Sequence, residues 1–151
     1  MDIKTILHPT DGSQSARKAL EFACELATER KAQLLILHVQ RRHGSERIPE
    51  GLEQFSEIEH VRTTEARLLQ AAAEYIVDDA RLVARDRGVT NVDAQVTEGD
   101  PAHQIVETAR RNKVDAIVMG SRGLGELESL LLGSVSHKVA HAAPCSCVIV
   151  R

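Results

Sequence analysis

Five short apolar runs alternate with four stretches of helical spacing, and that alternation leaves few architectures open. The runs are Ile3 to His8, Gln33 to Val39, Val92 to Thr97, Asp115 to Met119 and Cys147 to Val150. Gln33 to Val39 is almost continuously apolar, as expected of a strand covered on both faces. After the first run, Ala16, Ala19, Leu20, Ala23 and Ala27 recur at three and four residues, the period of one helix face, and Ser13 or Ser15 is placed to cap that helix. From about Val61 to Arg87 a long amphipathic helix presents Leu69, Ala72, Ala73, Ile76, Ala80 and Val83 on one face, wide and alanine-rich as for packing on a sheet, with Gly88 to end it. Asp100-Pro101 opens a helix to about Asn112, and another spans Ser134 to Ala142, with Pro144 before the last run. Residues 40–60 lose periodicity and are expected to form the one long, mobile connection. The pattern predicts a single domain over residues 1–151, a parallel sheet with helices on both faces.

Composition narrows the partners. At 151 residues the chain is long enough to bury a core, and a net charge of −3 gives no positive field for nucleic acid or an anionic membrane. Aromatic residues make up 2%, so platforms for stacking single-stranded bases have almost nothing to be built from. No apolar run approaches bilayer length and Met1 leads directly into a strand-like segment, so a cytoplasmic protein without a membrane partner is expected. Three cysteines, two of them in Cys145-Ser146-Cys147, do not make a disulfide framework.

The unusual residues collect where strands end. Gly120-Ser121-Arg122-Gly123 follows the fourth run, and Gly133-Ser134 stands nine residues further on, where a helix begins. Glycine lets main-chain N–H groups approach an anion with no Cβ in the way. A helix start adds amides without intrahelical partners and the positive end of a dipole. In a parallel sheet, ligands sit beyond the carboxyl ends of strands where the order reverses. If the first and fourth strands are neighbours there, the loops at 9–13 and 120–133 frame one crevice.

Gly-x-x-Gly, nine residues, then Gly-Ser resembles the ATP-binding signature of the universal stress protein family. The resemblance extends through Ile6 to Ser13, Leu37-His38-Val39, Glu98-Gly99-Asp100-Pro101, Asp115 to Gly123, Leu132 to Ser136 and Ala143-Pro144-Cys145, essentially the whole chain. It implies an α/β, flavodoxin-like fold of the adenine nucleotide alpha hydrolase-like kind, with a five-stranded parallel sheet of order 3-2-1-4-5. It also implies a homodimer paired through the C-terminal strand, with protein partners unknown. ATP would be the ligand, with ADP or AMP as alternatives, and Mg²⁺ or Mn²⁺ held mainly by the phosphates. By the same resemblance Pro9, Thr10 and Asp11 would meet the nucleoside, and Val39 would contact adenine through its backbone. Met119 and Gly120 would lie beneath the ribose and first phosphate, and Arg122, Gly123, Gly133, Ser134, Val135 and Ser136 would hold the phosphates.

Several of these residues carry a plainer reading as well. Asp11 could cap the helix near Ser13, although a carboxylate near phosphates suits ribose hydroxyls or an adenine amine better. Arg122 is either a phosphate ligand or a solvated loop arginine, and Ser134 could both cap its helix and donate to phosphate. The stretch Leu124 to Leu132 carries Glu126 and Glu128, which are solvated, repel the triphosphate or help hold a divalent ion. His8 and His38, two histidines without a third ligand, read as packed or surface groups before they read as a metal site. In an extended segment Cys145 and Cys147 point to one sheet face, toward the core or a dimer seam, and Cys24 falls near an apolar helix stripe.

Catalytic equipment is thin. The chain has no Gly-x-x-x-x-Gly-Lys-Ser/Thr loop, no paired-carboxylate motif and no nucleophile elbow, and Lys138 is expected to face solvent. The expectation is a nucleotide-dependent sensor or signalling module in a stress response, with no catalytic residues and at most slow hydrolysis. A slow ATPase or phosphotransferase is the alternative, and a ligand-independent scaffold a third.

Overall fold

A computed structural model of the chain describes residues 1–41, 56–123 and 131–151, with side chains of the second helix described from residue 63. Its elements are β1 (Thr5–Pro9), α1 (Gln14–Arg30), β2 (Gln33–Gln40), α2 (Ser56–Asp86), β3 (Val92–Glu98), α3 (Pro101–Arg111), β4 (Ala116–Gly120), α4 (Ser134–Ala142) and β5 (Ser146–Val150). The strands form one sheet in the order β3-β2-β1-β4-β5 with every pairing parallel. Five parallel strands with helices on both faces are as the alternation predicts, and their order is the one the family resemblance implies. α2 begins at Ser56 instead of near Val61, since helix propensity without a visible apolar stripe escapes a periodicity reading.

Alternation along the strands divides the core into two layers. Ile6, Leu34, Ile36 and Val118 pack with Ala19, Leu20, Ala23, Cys24 and Ala27 of α1 and Val77, Ala80 and Ala84 of α2. Leu7, Leu35, Leu37, Ile117 and Met119 point the other way, against Ala102, Ile105 and Ala109 of α3 and Val139 of α4. Each large aliphatic side chain withdrawn from water contributes about 1.5–3 kcal/mol. The many alanines on α1 and α2 let those helices lie close to the sheet, which is how a protein this poor in aromatics fills its interior. Cys145 and Cys147 pack partly buried against the second layer, and Cys24 is buried in the first.

Three helix-to-strand returns share one device. Lys31, Gly88 and Lys113 take positive φ, at 54°, 90° and 50°. The following amides reach back five residues, Ala32 to Ala27, Val89 to Ala84 and Val114 to Ala109, closing the last turn. Glycine at the second return was legible in the sequence, whereas lysine at the other two hid the same geometry. Asp115 adds a tie between strands, its Oδ2 accepting from the amides of Lys4 and Thr5, each at 2.9 Å.

Candidate functional site

The crevice lies where β1 and β4 part. Their ladder holds only Ile6 with Ala116 and Leu7 with Ile117. Pro9 has no N–H to continue it, and the His8 imidazole donates instead from Nδ1 to the Val118 carbonyl at 2.9 Å. β1 leads into α1 on one face and β4 leads toward α4 on the other, so their connections diverge and leave a gap. A cleft of about 400 Å³ occupies it, within the range that holds small-molecule ligands.

Eleven of the twelve residues singled out from the sequence line this cleft: Pro9, Thr10, Asp11, Val39, Met119, Gly120, Arg122, Gly123, Gly133, Val135 and Ser136. Ser134 does not; it is exposed, and Gly133 takes the cap position that Ser134 was expected to fill. The cleft lining is of two chemical kinds. Leu37, Val39, Leu69, Ala72, Ala73, Ile76, Pro101, Ile105 and Met119 are apolar, while Asp11 and Arg122 bring charge and the glycines 120, 123 and 133 bare backbone.

The helix starts differ in how they are capped. Ser13 caps α1, its Oγ accepting from the Ala16 amide at 3.1 Å, and Asp100 caps α3 by accepting from His103 at 3.0 Å. α4 has Gly133, a cleft-lining residue, at its cap and no cap bond from a side chain. Ser136 spends its hydroxyl on the scaffold: buried, it donates to the carbonyls of Ser121 at 2.8 Å and Gly133 at 3.1 Å. It therefore clamps the two glycine segments together, and what it can offer a phosphate is its amide. Arg122 is half buried, its own amide donating to Ser15 Oγ at 3.3 Å, which fastens the loop to α1.

The glycines serve different ends. A Cβ on Gly120 would stand 2.7 and 2.8 Å from the backbone carbonyl carbon and oxygen of Ser15, so close strand–helix packing requires this glycine. A Cβ on Gly123 would instead meet Asp11 Oδ2 at 2.7 Å, on the cleft side. Asp11 Oδ1 accepts from the Ser13 amide at 2.9 Å, which precedes the Ser13 cap. Its two oxygens thus divide the structural and the cleft-facing readings between them.

The apolar lining holds what the sequence reading missed. The stripe Leu69, Ala72, Ala73 and Ile76 was expected to pack on the sheet, yet it lines the cleft, and the core face of α2 is Ala73, Val77, Ala80 and Ala84. The two faces overlap at Ala73, so periodicity alone could not separate them. Val39 is half buried near the end of β2. Beyond Leu37 no residue of β1 pairs with β2; the Thr10 amide donates to Leu37 O at 2.8 Å, and His38 Nδ1 donates to Thr10 O at 2.8 Å. His38 is thus a loop fastener, a role its spacing did not signal.

Burial pushes the His8 imidazole down to about 4, against its bond to Val118 and the nearby Asp11 charge, so it is neutral at ordinary pH. Burial likewise pushes the Cys24 and Cys145 thiols up to about 11, which keeps them from acting as thiolates. Among the described residues no group of three His, Cys, Asp or Glu is placed to hold a metal ion, and Asp11 is the single carboxylate lining the cleft. Lys138 is exposed on α4. Glu126, Glu128 and most of the connection expected at residues 40–60 lie outside the described residues.

Comparison with known proteins matches residues 2–151 to the universal stress protein family. The universal stress protein YxiE of Bacillus subtilis (strain 168) is 36% identical, over 93% of this chain and 94% of its own length. Among solved structures, universal stress protein UspA from Lactobacillus plantarum superposes with a TM-score of 0.81 at 25% identity, covering 100% of this chain and 99% of that one. A universal stress protein in complex with cAMP superposes with a TM-score of 0.73 at 25% identity, covering 100% and 99%.

Proposed function

The chain belongs to the universal stress protein family, and on that premise we propose that its cleft binds an adenine nucleotide, ATP first among them, and that occupancy is the signal it carries in a stress response. One observation carries this reading: an apolar stretch of lining and a helix start without a side-chain cap bond belong to a single cleft. A base and ribose suit the first, and phosphates suit amides offered by α4 and the glycine loop. A solved relative holding cAMP supports an adenine nucleotide as the ligand class. Asp11 would face ribose hydroxyls or the base, since its charge repels phosphate.

Binding without rapid hydrolysis fits the donor set. Mg²⁺ or Mn²⁺ would be held mainly by the phosphates, and such an ion would supply charge neutralisation there. Efficient phosphoryl transfer also needs a positioned base and a cationic clamp. β5 is an edge strand, which supports a homodimer paired through it; sedimentation velocity of the purified protein tests that separately.

The deciding experiment denatures purified protein and identifies any released small molecule, then titrates emptied protein with ATP, ADP, AMP and cAMP. Co-purified or saturable adenine nucleotide supports the proposal. A protein that releases nothing and binds none of the four is a ligand-independent scaffold. Many turnovers of ATP per minute, abolished in Asp11→Ala, would make it an enzyme instead.

A further inference from the structure

α2 has two unequal halves. From Ala73 onward its inner face is anchored in the core, with Ala73, Val77, Ala80 and Ala84 all buried. From Glu65 to Ala72 no described side chain is buried, and Leu69 alone is even partly covered. Leu69, Ala72, Ala73 and Ile76 follow the i, i+3, i+4, i+7 spacing of one helix stripe, and all four line the cleft. Among the described residues the stripe therefore leaves the packed layer as it runs toward the helix N-terminus and borders the cleft. Most helical stability in proteins comes from packing of an apolar face. This half of α2 has such a face, and among the described residues it is turned to the cleft.

We propose that residues 65–72 of α2 form a ligand-held wall. The base and ribose of a bound nucleotide supply the surface against which Leu69, Ala72, Ala73 and Ile76 pack, so occupancy fixes this half of the helix to the sheet. The proposal rests on the nucleotide reading of the cleft and adds the subsite and its mechanical consequence. Phosphates alone, held by amides of α4 and the glycine loop, do not have this effect, because they put no apolar surface under the stripe. The buried half of α2, packed independently of ligand, is unaffected.

Hydrogen–deuterium exchange on the full-length protein tests this with three samples: free, saturated with ATP, and saturated with inorganic triphosphate. Equilibrium dialysis measures ATP occupancy independently. In the free protein, amides of residues 65–72 are expected to exchange more than about tenfold faster than those of 77–86. ATP slows the first set and leaves the second nearly unchanged, whereas triphosphate changes neither. ATP bound by dialysis with exchange at 65–72 unaltered overturns the wall and leaves the nucleotide reading standing. No ATP bound at millimolar concentration overturns both. Leu69→Ala is expected to weaken ATP about tenfold and triphosphate not at all. Leu68→Ala, on the exposed side of the helix, changes neither affinity. Equal losses in the two variants, or a parallel fall in triphosphate affinity, overturn the subsite assignment.

Discussion

Gly120 and Gly123 stand three residues apart in one loop, yet alanine at each is expected to damage a different property. At Gly120 the new Cβ would press on the Ser15 backbone at 2.7 and 2.8 Å, inside the first turn of α1, where nothing flexible can yield. Overpacking of that kind costs about 3 kcal/mol, which for a protein of this length lowers Tm by about 10 °C. At Gly123 the contact is with Asp11 Oδ2 at 2.7 Å, and ordinary contact begins at 3.4 Å, so a carboxylate displaced by about 0.7 Å relieves it. Gly123 is not among the residues at positive φ, so alanine suits its backbone. Weakening the bond from the Ser13 amide to Asp11 costs about 0.5–1.5 kcal/mol, partly offset by the less flexible unfolded state. The net change stays within about 1 kcal/mol, or about 3 °C. Binding suffers instead: the methyl intrudes on the glycine cradle and turns Asp11 aside, weakening ATP at least about tenfold, which is about 1.4 kcal/mol. Thermal unfolding without ligand and calorimetric titration with ATP separate the two effects. The reasoning fails if Gly123→Ala is as unstable as Gly120→Ala, or if it binds ATP like the parent protein.

Other consequences follow from single groups. His8 takes a proton near 6.5 when unfolded but only near about 4 when folded, so the unfolded state binds more protons between those values and stability falls as pH falls. Between about pH 7 and pH 5 this amounts to about 2 kcal/mol, read by urea unfolding at the two pH values. An equal pH slope in His8→Asn would refute the assignment. Lys31→Gly and Lys113→Gly relieve positive φ and should each add about 0.5–1 kcal/mol to unfolding free energy, with a decrease counting against the helix-end geometry. Asp115→Ala strands the Lys4 and Thr5 amides and is expected to cost about 1–3 kcal/mol in the same assay. Ser136→Ala should cost about 1–2 kcal/mol and also weaken ATP, since the clamp between Ser121 and Gly133 is lost; unchanged affinity would separate the clamp from the site.

What could be read directly from the residue order was local or periodic. Apolar runs such as Leu34 to Leu37 announce buried strands because a strand covered on both faces has no polar side to show. Gly133 before a helix and Gly123 after a strand stand out as candidate backbone donors because glycine's chemistry does not depend on what lies across the cleft. Whatever required two distant segments to meet stayed hidden. The stripe on α2 has the same spacing whether it faces sheet or cleft, and only the folded chain separates Leu69, in the cleft lining, from Val77, in the core. Gly120 looks like its neighbour until α1 is brought against it, and nothing in the spacing of His8 and His38 shows that they bond to Val118 O and Thr10 O. Periodicity and backbone chemistry are carried by neighbours along the sequence. Clearance, burial and the direction of a hydrogen bond belong to pairs of segments, and those exist only once the sheet has assembled.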